Sequence, residues 1–435
     1  MLSEDLREYA NKLKKAVLDD EKMAAETVSR KSMYTFLLMK SAESNTFVPV
    51  EHREAVISNL LNLWYSYGNI QGAIDDPYVT DIHLIGTTTI IKRNGTNFES
   101  SEFRFDLDKD LVEFVERKLE NTPYSYSLAE PITDAILPDG YRLNVIGGPS
   151  TRYTVERDGN IITEPRTIVT IRKPIYPFSL DDLVSLNMLN EDTREYFRLM
   201  QLLGDSFIVA GGVNSAKTTL MNALTGDIPK GYVNLIIEEL AEMTPLGPWF
   251  IRLTNRDENY EGKGAITMDR NIINSLRMDC DNEYIGEVRG PQVAYQFLRM
   301  SLIVKRQTGT TFHTNIGHDN GINGVLTRFI LEATEGAGAQ ASYANTASMV
   351  ANKIRHIITL RDTKHGKRLI EVGEVVGYDF REKIIKWIPA VSYNFKKDDW
   401  VFHGISPAMA ERAENEGLDI HLKVSQEAPN IFYIA

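Results

Sequence analysis

Gly211, Lys217 and Thr218 stand at the spacing that a phosphate-holding turn requires: a glycine, four free positions, a small residue, then lysine and a hydroxyl. The residues from Gly211 to Thr218 read GGVNSAKT. Backbone N–H groups at a helix start attract phosphate oxygens, which gives Gly212, Val213, Asn214, Ser215, Ala216 and Thr219 a place in the cradle. The Lys217 ammonium would neutralise the β and γ phosphates of a nucleotide, and the Thr218 hydroxyl would ligate Mg²⁺. Ala216 stands where the pattern asks for a second glycine. Alanine removes no N–H donor, but it resists a positive φ and adds a methyl close to an anion; Asn214 tolerates the left-handed region better.

Three later stretches end in polar groups of the right kind. VNLIIEELAE is apolar up to Glu238 and Glu239, with Glu242 shortly after. It is expected as a strand beside the phosphate strand, at whose carboxyl end a doubly wound sheet collects its ligand chemistry, and its acids could hold Mg²⁺ or orient water. YIGEVRG ends a second strand at Glu287, a carboxylate suited to orienting the water that attacks ATP. GTTFHTN contributes Thr310, Thr311 and His313. His318 lies five residues on, but no Cys or further His is near it, so a metal pair is not expected. A helix expected over 266–278 would bring Arg277 towards the same edge.

The elements that must position these groups are also visible. Phe207 to Ala210 form a short apolar run bounded by turn residues, and Leu220, Met221, Ala223 and Leu224 recur at helical spacing up to Gly226, a C-cap. Together they predict strand, turn and helix around the phosphate loop. Upstream, Leu2, Leu6, Tyr9, Leu13 and Val17, then Val56, Leu60, Leu63 and Trp64, mark amphipathic helices up to about Gly72. From TDIHLIG onward β-branched residues dominate, with a hairpin turn at Asn94-Gly95, a helix near Leu107 to Leu119, a turn at Pro138-Asp139-Gly140 and a strand TIVTIRKP ending at Pro174. Residues 158–164 read as a polar loop and 336–342 (GAGAQAS) as a small-residue loop. The expected division is a helical region over 1–72, a small α+β domain over 73–176 and an α/β domain over 177–435.

Composition narrows the partners. With 435 residues the chain has ample length for two or three cores, and its net charge of −12 argues against nucleic acid as a bulk electrostatic partner. Cys280 is the one cysteine, which excludes an internal disulfide and any multi-cysteine zinc site. The opening MLSEDLREYANKLKKAV lacks the apolar core of a signal peptide, and no run approaches the ~20 apolar residues of a membrane span. Any membrane association is therefore expected to be peripheral.

The order of glycine loop, IIEELAE, IGEVRG and GTTFHTN resembles the Walker A, aspartate box, Walker B and histidine box of the secretion superfamily ATPases, the hexameric motors of type II secretion, type IV pili, type IV secretion and tight-adherence (Tad) pili. PITDAILPDGYRLN and TIRKP resemble segments that precede the ATPase domain in that family. RLIEVGEVVGYD and GISPAMAERAENEGLDI look most like the Tad pilus and type IV secretion branches, and the resemblance runs from about Asp76 to near the end. It implies a RecA-like P-loop ATPase domain with a C-terminal extension, preceded by a PAS-like α+β domain, and ATP with Mg²⁺ as ligands. Carried over by position, Glu287 is the catalytic glutamate, Glu238, Glu239 and Glu242 occupy the aspartate box, and His313 senses the γ-phosphate or couples subunits. Arg142 and Arg172 are the arginines that complete a site across domains. The family further implies a hexameric ring on the cytoplasmic face of the inner membrane, working on membrane-embedded platform proteins.

Several positions depart from the family pattern. Ala216 and Asn214 replace glycines, Glu239 stands where aspartate is usual, and Ile136 sits where many relatives have arginine. The strand before Glu287 is more polar than usual, and the tetracysteine zinc module of many type II secretion members is absent. Two other readings therefore stay open: a nucleotide-binding ring component with little or no hydrolysis, and a RecA-like DNA translocase, against which the acidity counts.

Overall fold

The stripe of Leu13 and Val17 packs, in the computed structural model, against Phe36, Leu37, Val56, Ile57 and Leu60. These residues lie on three helices, α1 (Glu4–Leu18), α2 (Arg30–Lys40) and α3 (Val50–Tyr65). The structure describes every residue except 1–3, 21–29, 94–95, 106, 121, 123, 128, 148–149, 158–159, 175–176, 257, 259–262, 315–320 and 434–435. The expected hairpin turn at Asn94-Gly95 and the residue His318 thus lie outside the described residues. Contacts divide the chain into two compact units, Met1–Pro174 and Ile175–Ala435.

The rest of the first unit follows a short helix, α4 (Gln71–Asp75). Its strands are β1 (Val79–Ile85), β2 (Thr88–Arg93), β3 (Thr96–Ser100), β4 (Ile132–Ile136), β5 (Arg142–Ile146), β6 (Tyr153–Arg157), β7 (Asn160–Glu164) and β8 (Ile168–Arg172), with α5 (Asp108–Leu119) between β3 and β4. Six of them form one antiparallel sheet in the order β3-β2-β1-β8-β5-β4. Burial alternates along β5 and β8, so Leu143, Val145, Val169 and Ile171 meet Leu111, Phe114 and Val115 of α5 on one face. The expected loop over 158–164 is corrected: Asn160–Glu164 is a strand that pairs with Tyr153–Arg157 in a separate two-stranded hairpin. Ile161, Ile162 and Thr163 are β-branched, and that local preference prevails although Ile161 stays largely exposed.

The second unit opens with α6 (Leu180–Ser185), whose capping box joins Ser179 and Asp182, and α7 (Glu191–Leu203), capped by Asn190 and closed by Gly204 at φ 68°. Then come β9 (Phe207–Gly211), α8 (Lys217–Thr225), β10 (Asn234–Glu238), β11 (Phe250–Thr254), α9 (Met268–Ser275), β12 (Asn282–Val288), α10 (Pro291–Ile303), β13 (Gln307–His313), α11 (Gly321–Ala337) and α12 (Tyr343–Lys353). A C-terminal part adds β14 (His356–Thr363), β15 (Gly366–Asp379), β16 (Ile384–Asn394), β17 (Asp399–Phe402), α13 (Pro407–Asn415) and β18 (Asn430–Tyr433). All but one of the resulting sheet's pairings follow one path, β11-β10-β12-β13-β9-β14-β15-β16-β17; the exception is β18 against β16. From β11 to β14 every pair is parallel; from β14 on every pair is antiparallel. This is a mixed α/β fold built on a parallel-rich sheet.

A parallel sheet must be covered on both faces, and alternate residues of β9 show it. Phe207 and Val209 join a core with Tyr196, Phe197, Leu220, Met221 and Met409, whereas Ile208 and Ala210 join one with Ile272, Phe297, Phe329 and Val350. Each fully buried Phe, Ile, Leu, Val or Met side chain among them contributes roughly 1.5–3 kcal/mol. Two further expectations are corrected here. The helix expected over 266–278 spans only Met268–Ser275, capped by Thr267, so Arg277 falls beyond its end. Residues Gly336 and Ala337 belong to α11, not to a loop, and a Cβ at Gly336 would lie 2.0 Å from the Pro291 carbonyl oxygen. That glycine permits α11 to approach the start of α10.

Candidate functional site

The carboxyl end of β9 delivers the chain into the glycine loop. A Cβ on Gly211 would lie 2.6 Å from the Leu360 carbonyl oxygen and 2.5 Å from Ser215 Oγ, so only glycine fits where the loop folds back on its strand. The Ser215 hydroxyl, buried, donates to the Gly212 carbonyl at 2.9 Å and closes the turn. Asn214 and Ala216 both take left-handed backbone, at φ 59° and 71°. Lys367 of β15 donates to the Asn214 carbonyl and braces the first of them. Ala216 is the N-cap of α8, and it has no side chain to cap with. The first N–H groups of that helix lack intrahelical acceptors by construction, which leaves them directed at whatever fills the loop.

Lys217 curls back over this loop. Its Nζ donates to the carbonyls of Gly212 at 2.8 Å and Gly211 at 3.1 Å. Burial pushes the ammonium's pKa down, and the Glu287 carboxylate partly restores it. The loop lysine and the acid near the end of β12 are thus in electrostatic reach of each other. Thr218 and Thr219 follow in the first turn, both half-buried.

Strand order sets which acids reach this place. β13 lies between β9 and β12, and β10 lies beyond β12, so the expectation of β10 beside the phosphate strand is corrected. The carboxyl ends of β9, β13, β12 and β10 still share one edge, since all four run parallel. His313 pairs in register with Gly211 at that edge. Thr314, next in sequence, donates its N–H to the Gly211 carbonyl at 3.2 Å, and its own hydroxyl is buried without a hydrogen-bond partner. Register breaks between Ile285 and Val288, where Thr311 Oγ1 donates to the Gly286 carbonyl at 2.7 Å. This bulge turns Glu287 out at the strand end.

The three acids of the β10 end fare differently. Glu238 is 3% exposed, and its Oε1 accepts the N–H groups of Met243 at 2.7 Å and Glu242 at 3.1 Å. Arg252 Nε sits 3.2 Å from the other oxygen. Burial raises this carboxyl's pKa against those donors. Glu238, expected as a Mg²⁺ ligand, holds the turn after β10 through these bonds. Glu239 and Glu242 are exposed. Arg289, which the sequence reading did not single out, ties Glu239 to Glu287: its Nε donates to Glu287 at 2.6 Å and its Nη1 to Glu239 at 3.0 Å. The signal was present, because Arg289 is two residues past Glu287 and so leaves the strand end on the same side. No cluster of three or more His, Cys, Asp or Glu able to hold a metal ion occurs among the described residues.

Arg142 and Arg172 lie in the first unit, directly opposite one another on β5 and β8. Each draws an acid from the strand beyond: Asp134 of β4 at 2.9 Å for Arg142 and Asp81 of β1 at 3.0 Å for Arg172. The polarity of the strand leading to Glu287 is also explained. Asn282 bonds Asn234 at 2.8 Å and Arg306 at 3.0 Å, Glu283 accepts from Ser275 at 2.6 Å, and the Tyr284 hydroxyl donates to Gln307 at 2.6 Å. These groups satisfy one another at the amino end of the strand, opposite the site.

Relatives share the stretch that holds these elements. An uncharacterised protein of Methanocaldococcus jannaschii is 25% identical over 282 residues, covering 63% of this chain and 48% of the relative. A second uncharacterised protein of that organism is 31% identical over 192 residues, covering 41% and 23%. The chain thus spans less than half the length of either. The type IV secretion system protein VirB11 of Brucella suis is 24% identical over 297 residues, covering 60% of this chain and 76% of VirB11. The family described as type II/IV secretion system protein matches residues 70–360, from the first unit's sheet through the glycine loop, the acid-ended strands and His313. With two thirds of its length matched and the phosphate loop, acids and histidine gathered at one sheet edge, this chain belongs to the type II/IV secretion system protein family, a family of secretion ATPases.

Proposed function

We propose that this chain is a Mg²⁺-ATP-dependent motor subunit with a RecA-like ATPase domain, powering a secretion or pilus apparatus of the Tad or type IV secretion kind. The observation that carries this reading is the electrostatic proximity of Lys217 and Glu287 at a common sheet edge. A nucleotide would be held by the N–H groups of the glycine loop and the start of α8. The Lys217 ammonium, now bonded to two loop carbonyls, would turn to the phosphates. Thr218 would ligate Mg²⁺, which neutralises charge developing on the phosphates. Glu287 would orient the attacking water, with His313 beside Gly211 as a group that senses the terminal phosphate. Copies of the chain would assemble as a ring, with Arg142 and Arg172 as candidates to complete a neighbouring subunit's site. No helix among the described residues is long and apolar enough to cross a membrane, which suits peripheral action at the cytoplasmic face.

The test is steady-state phosphate release with parallel ATP-binding calorimetry. Glu287→Gln keeps the shape and removes the carboxylate, so turnover should fall about a hundredfold or more while binding holds. Lys217→Ala should weaken Mg²⁺-ATP binding by at least about tenfold. Unchanged turnover in the first variant, or equal affinities in the second, rejects the reading.

One observation favours a second reading. Ala216 adopts φ 71°, a region that disfavours any residue with a Cβ. A subunit that binds nucleotide in the ring and hydrolyses it slowly would follow, and the same assay separates the two by its wild-type rate.

A further inference from the structure

We propose that Arg289 is a positioning residue that holds Glu287 in its water-orienting pose, and that Glu239 serves as the anchor of Arg289 and not as a ligand of Mg²⁺. This inference rests on the role proposed for Glu287. Glu287 is the penultimate residue of β12 and Glu239 directly follows β10; the ladder sets these neighbouring strands side by side but its rungs stop at Ile237 and Ile285, so it does not fix the two carboxylates against each other. The guanidinium does so by forking between them, with Nε on Glu287 Oε2 at 2.6 Å and Nη1 on Glu239 Oε2 at 3.0 Å. The bond to Glu287 takes only Oε2, leaving Oε1 to accept from a water. A glutamate side chain has three rotatable bonds, and at a strand end it would sample several of their combinations. A lysine could not replace this clamp fully, because its ammonium lacks the planar fork that reaches two acids at fixed angles.

An ordinary surface ion pair would look similar in one respect, since the Arg289 side chain is 68% exposed. Such pairs contribute little to stability. The clamp differs in what it holds. Glu287 is the acid whose charge is felt at the buried Lys217, and Arg289 is felt there too, so the fork sits within the charged cluster around the loop. Glu242 adds its own field to the guanidinium, which is held above the usual arginine range: burial opposes this, and Glu287, Glu239 and Glu242 outweigh it. Displacing a reacting group by about 1 Å can cost on the order of a hundredfold in rate while most binding contacts survive. Loss of the clamp should therefore appear in kcat and not in affinity.

The experiment measures phosphate release and ATP affinity on the full chain for Arg289→Ala, Arg289→Lys, Glu239→Gln and the pair Arg289→Ala/Glu239→Gln. Arg289→Ala should lower kcat about tenfold or more, with KM for ATP and the calorimetric affinity within about twofold of wild type. Arg289→Lys should recover part of that loss, and Glu239→Gln should lose less than Arg289→Ala. The paired variant should be no slower than Arg289→Ala alone, because Glu239 acts through Arg289. Each variant is also made with Ala216→Gly, so that a slow wild type still leaves a rate to compare. Wild-type kcat in Arg289→Ala, additive losses in the pair, or a loss of ATP affinity as large as the loss of rate overturns the inference. If Arg289→Ala is unaffected while Glu287→Gln is inactive, only this inference fails. If Glu287→Gln retains turnover, or no protein releases phosphate, the functional reading fails with it.

Discussion

The two large sheets handle charge in opposite ways. In the antiparallel sheet of the first unit, neighbouring strands end at alternate edges, and charge sits along the strands: Asp134, Arg142, Arg172 and Asp81 form a ladder across β4, β5, β8 and β1. Members of that ladder satisfy one another locally; Asp134, Arg142 and Arg172 remain partly exposed, while Asp81 is buried. The parallel sheet of the second unit brings its carboxyl ends to one edge, so Lys217, Glu287, Glu239 and His313 converge without being adjacent in sequence. Its opposite edge buries its charge. There Asp205, 5% exposed, meets His356 Nε2 at 2.9 Å and the forked guanidinium of Arg412, while the Tyr196 hydroxyl lies 2.9 Å from His356 Nδ1. Parallel strands thus separate a structural end from a chemical one, and an antiparallel sheet has no such polarity.

The largest effect expected from this contrast belongs to the buried end. Asp205→Asn leaves the half-buried Arg412 facing a neutral amide beside the buried His356 and should cost about 2–4 kcal/mol, read as a fall in the chemical-denaturation midpoint. The pH dependence has a definite sign. Burial pushes the Asp205 carboxyl up, but His356 and Arg412 outweigh it and hold the pKa well below the usual carboxylate range. Stability from this group is therefore complete above the unfolded pKa of about 3.9 and is lost as pH falls below it. A second unit whose midpoint responds to acid as much in Asp205→Asn as in wild type would break the comparison.

A smaller effect is expected at the chemical end. Ala216→Gly relieves a left-handed alanine worth about 1 kcal/mol and frees the loop to settle on phosphate. Turnover should rise, and ATP affinity should change less than turnover. Equal rates for the variant and the wild type would mean that the strain at φ 71° is without catalytic consequence. Smallest of all is the exposed end of the ladder. Arg142→Gln removes one member of partly exposed pairs and should change stability by less than about 1 kcal/mol, measured by denaturation. A loss of several kcal/mol there would show that the first sheet, too, depends on buried charge.

Local features of the site were legible because local residues carry them. The glycine, lysine and threonine of the loop are read from eight consecutive residues, and burial of all five residues of β9 follows from its apolar run. The helix over Asp108–Leu119 was legible too, with acids in its first turn and bases in its last. Less visible was the fate of the acids. Glu238 and Glu239 are neighbours of one type, yet one is buried under two backbone N–H groups and the other is exposed on an arginine just past the end of β12. Which way each side chain turns depends on the loop that follows, and Gly286 is part of the reason: a Cβ there would approach Glu238 Cγ to 3.0 Å.

By itself, then, the sequence determined the strand-turn-helix of the phosphate loop, the acid endings of its partner strands and the membership of the chain in a family of secretion ATPases, since each rests on residue types at short spacing. Only the tertiary structure decided that β10 stands two strands away from the position expected for it, that Arg289 forks between Glu239 and Glu287, and that Ala216 takes the left-handed turn. Strand order and side-chain partners are settled by contacts between segments tens of residues apart. A strand's own residues state that it is buried, but they carry no record of which neighbour buries it.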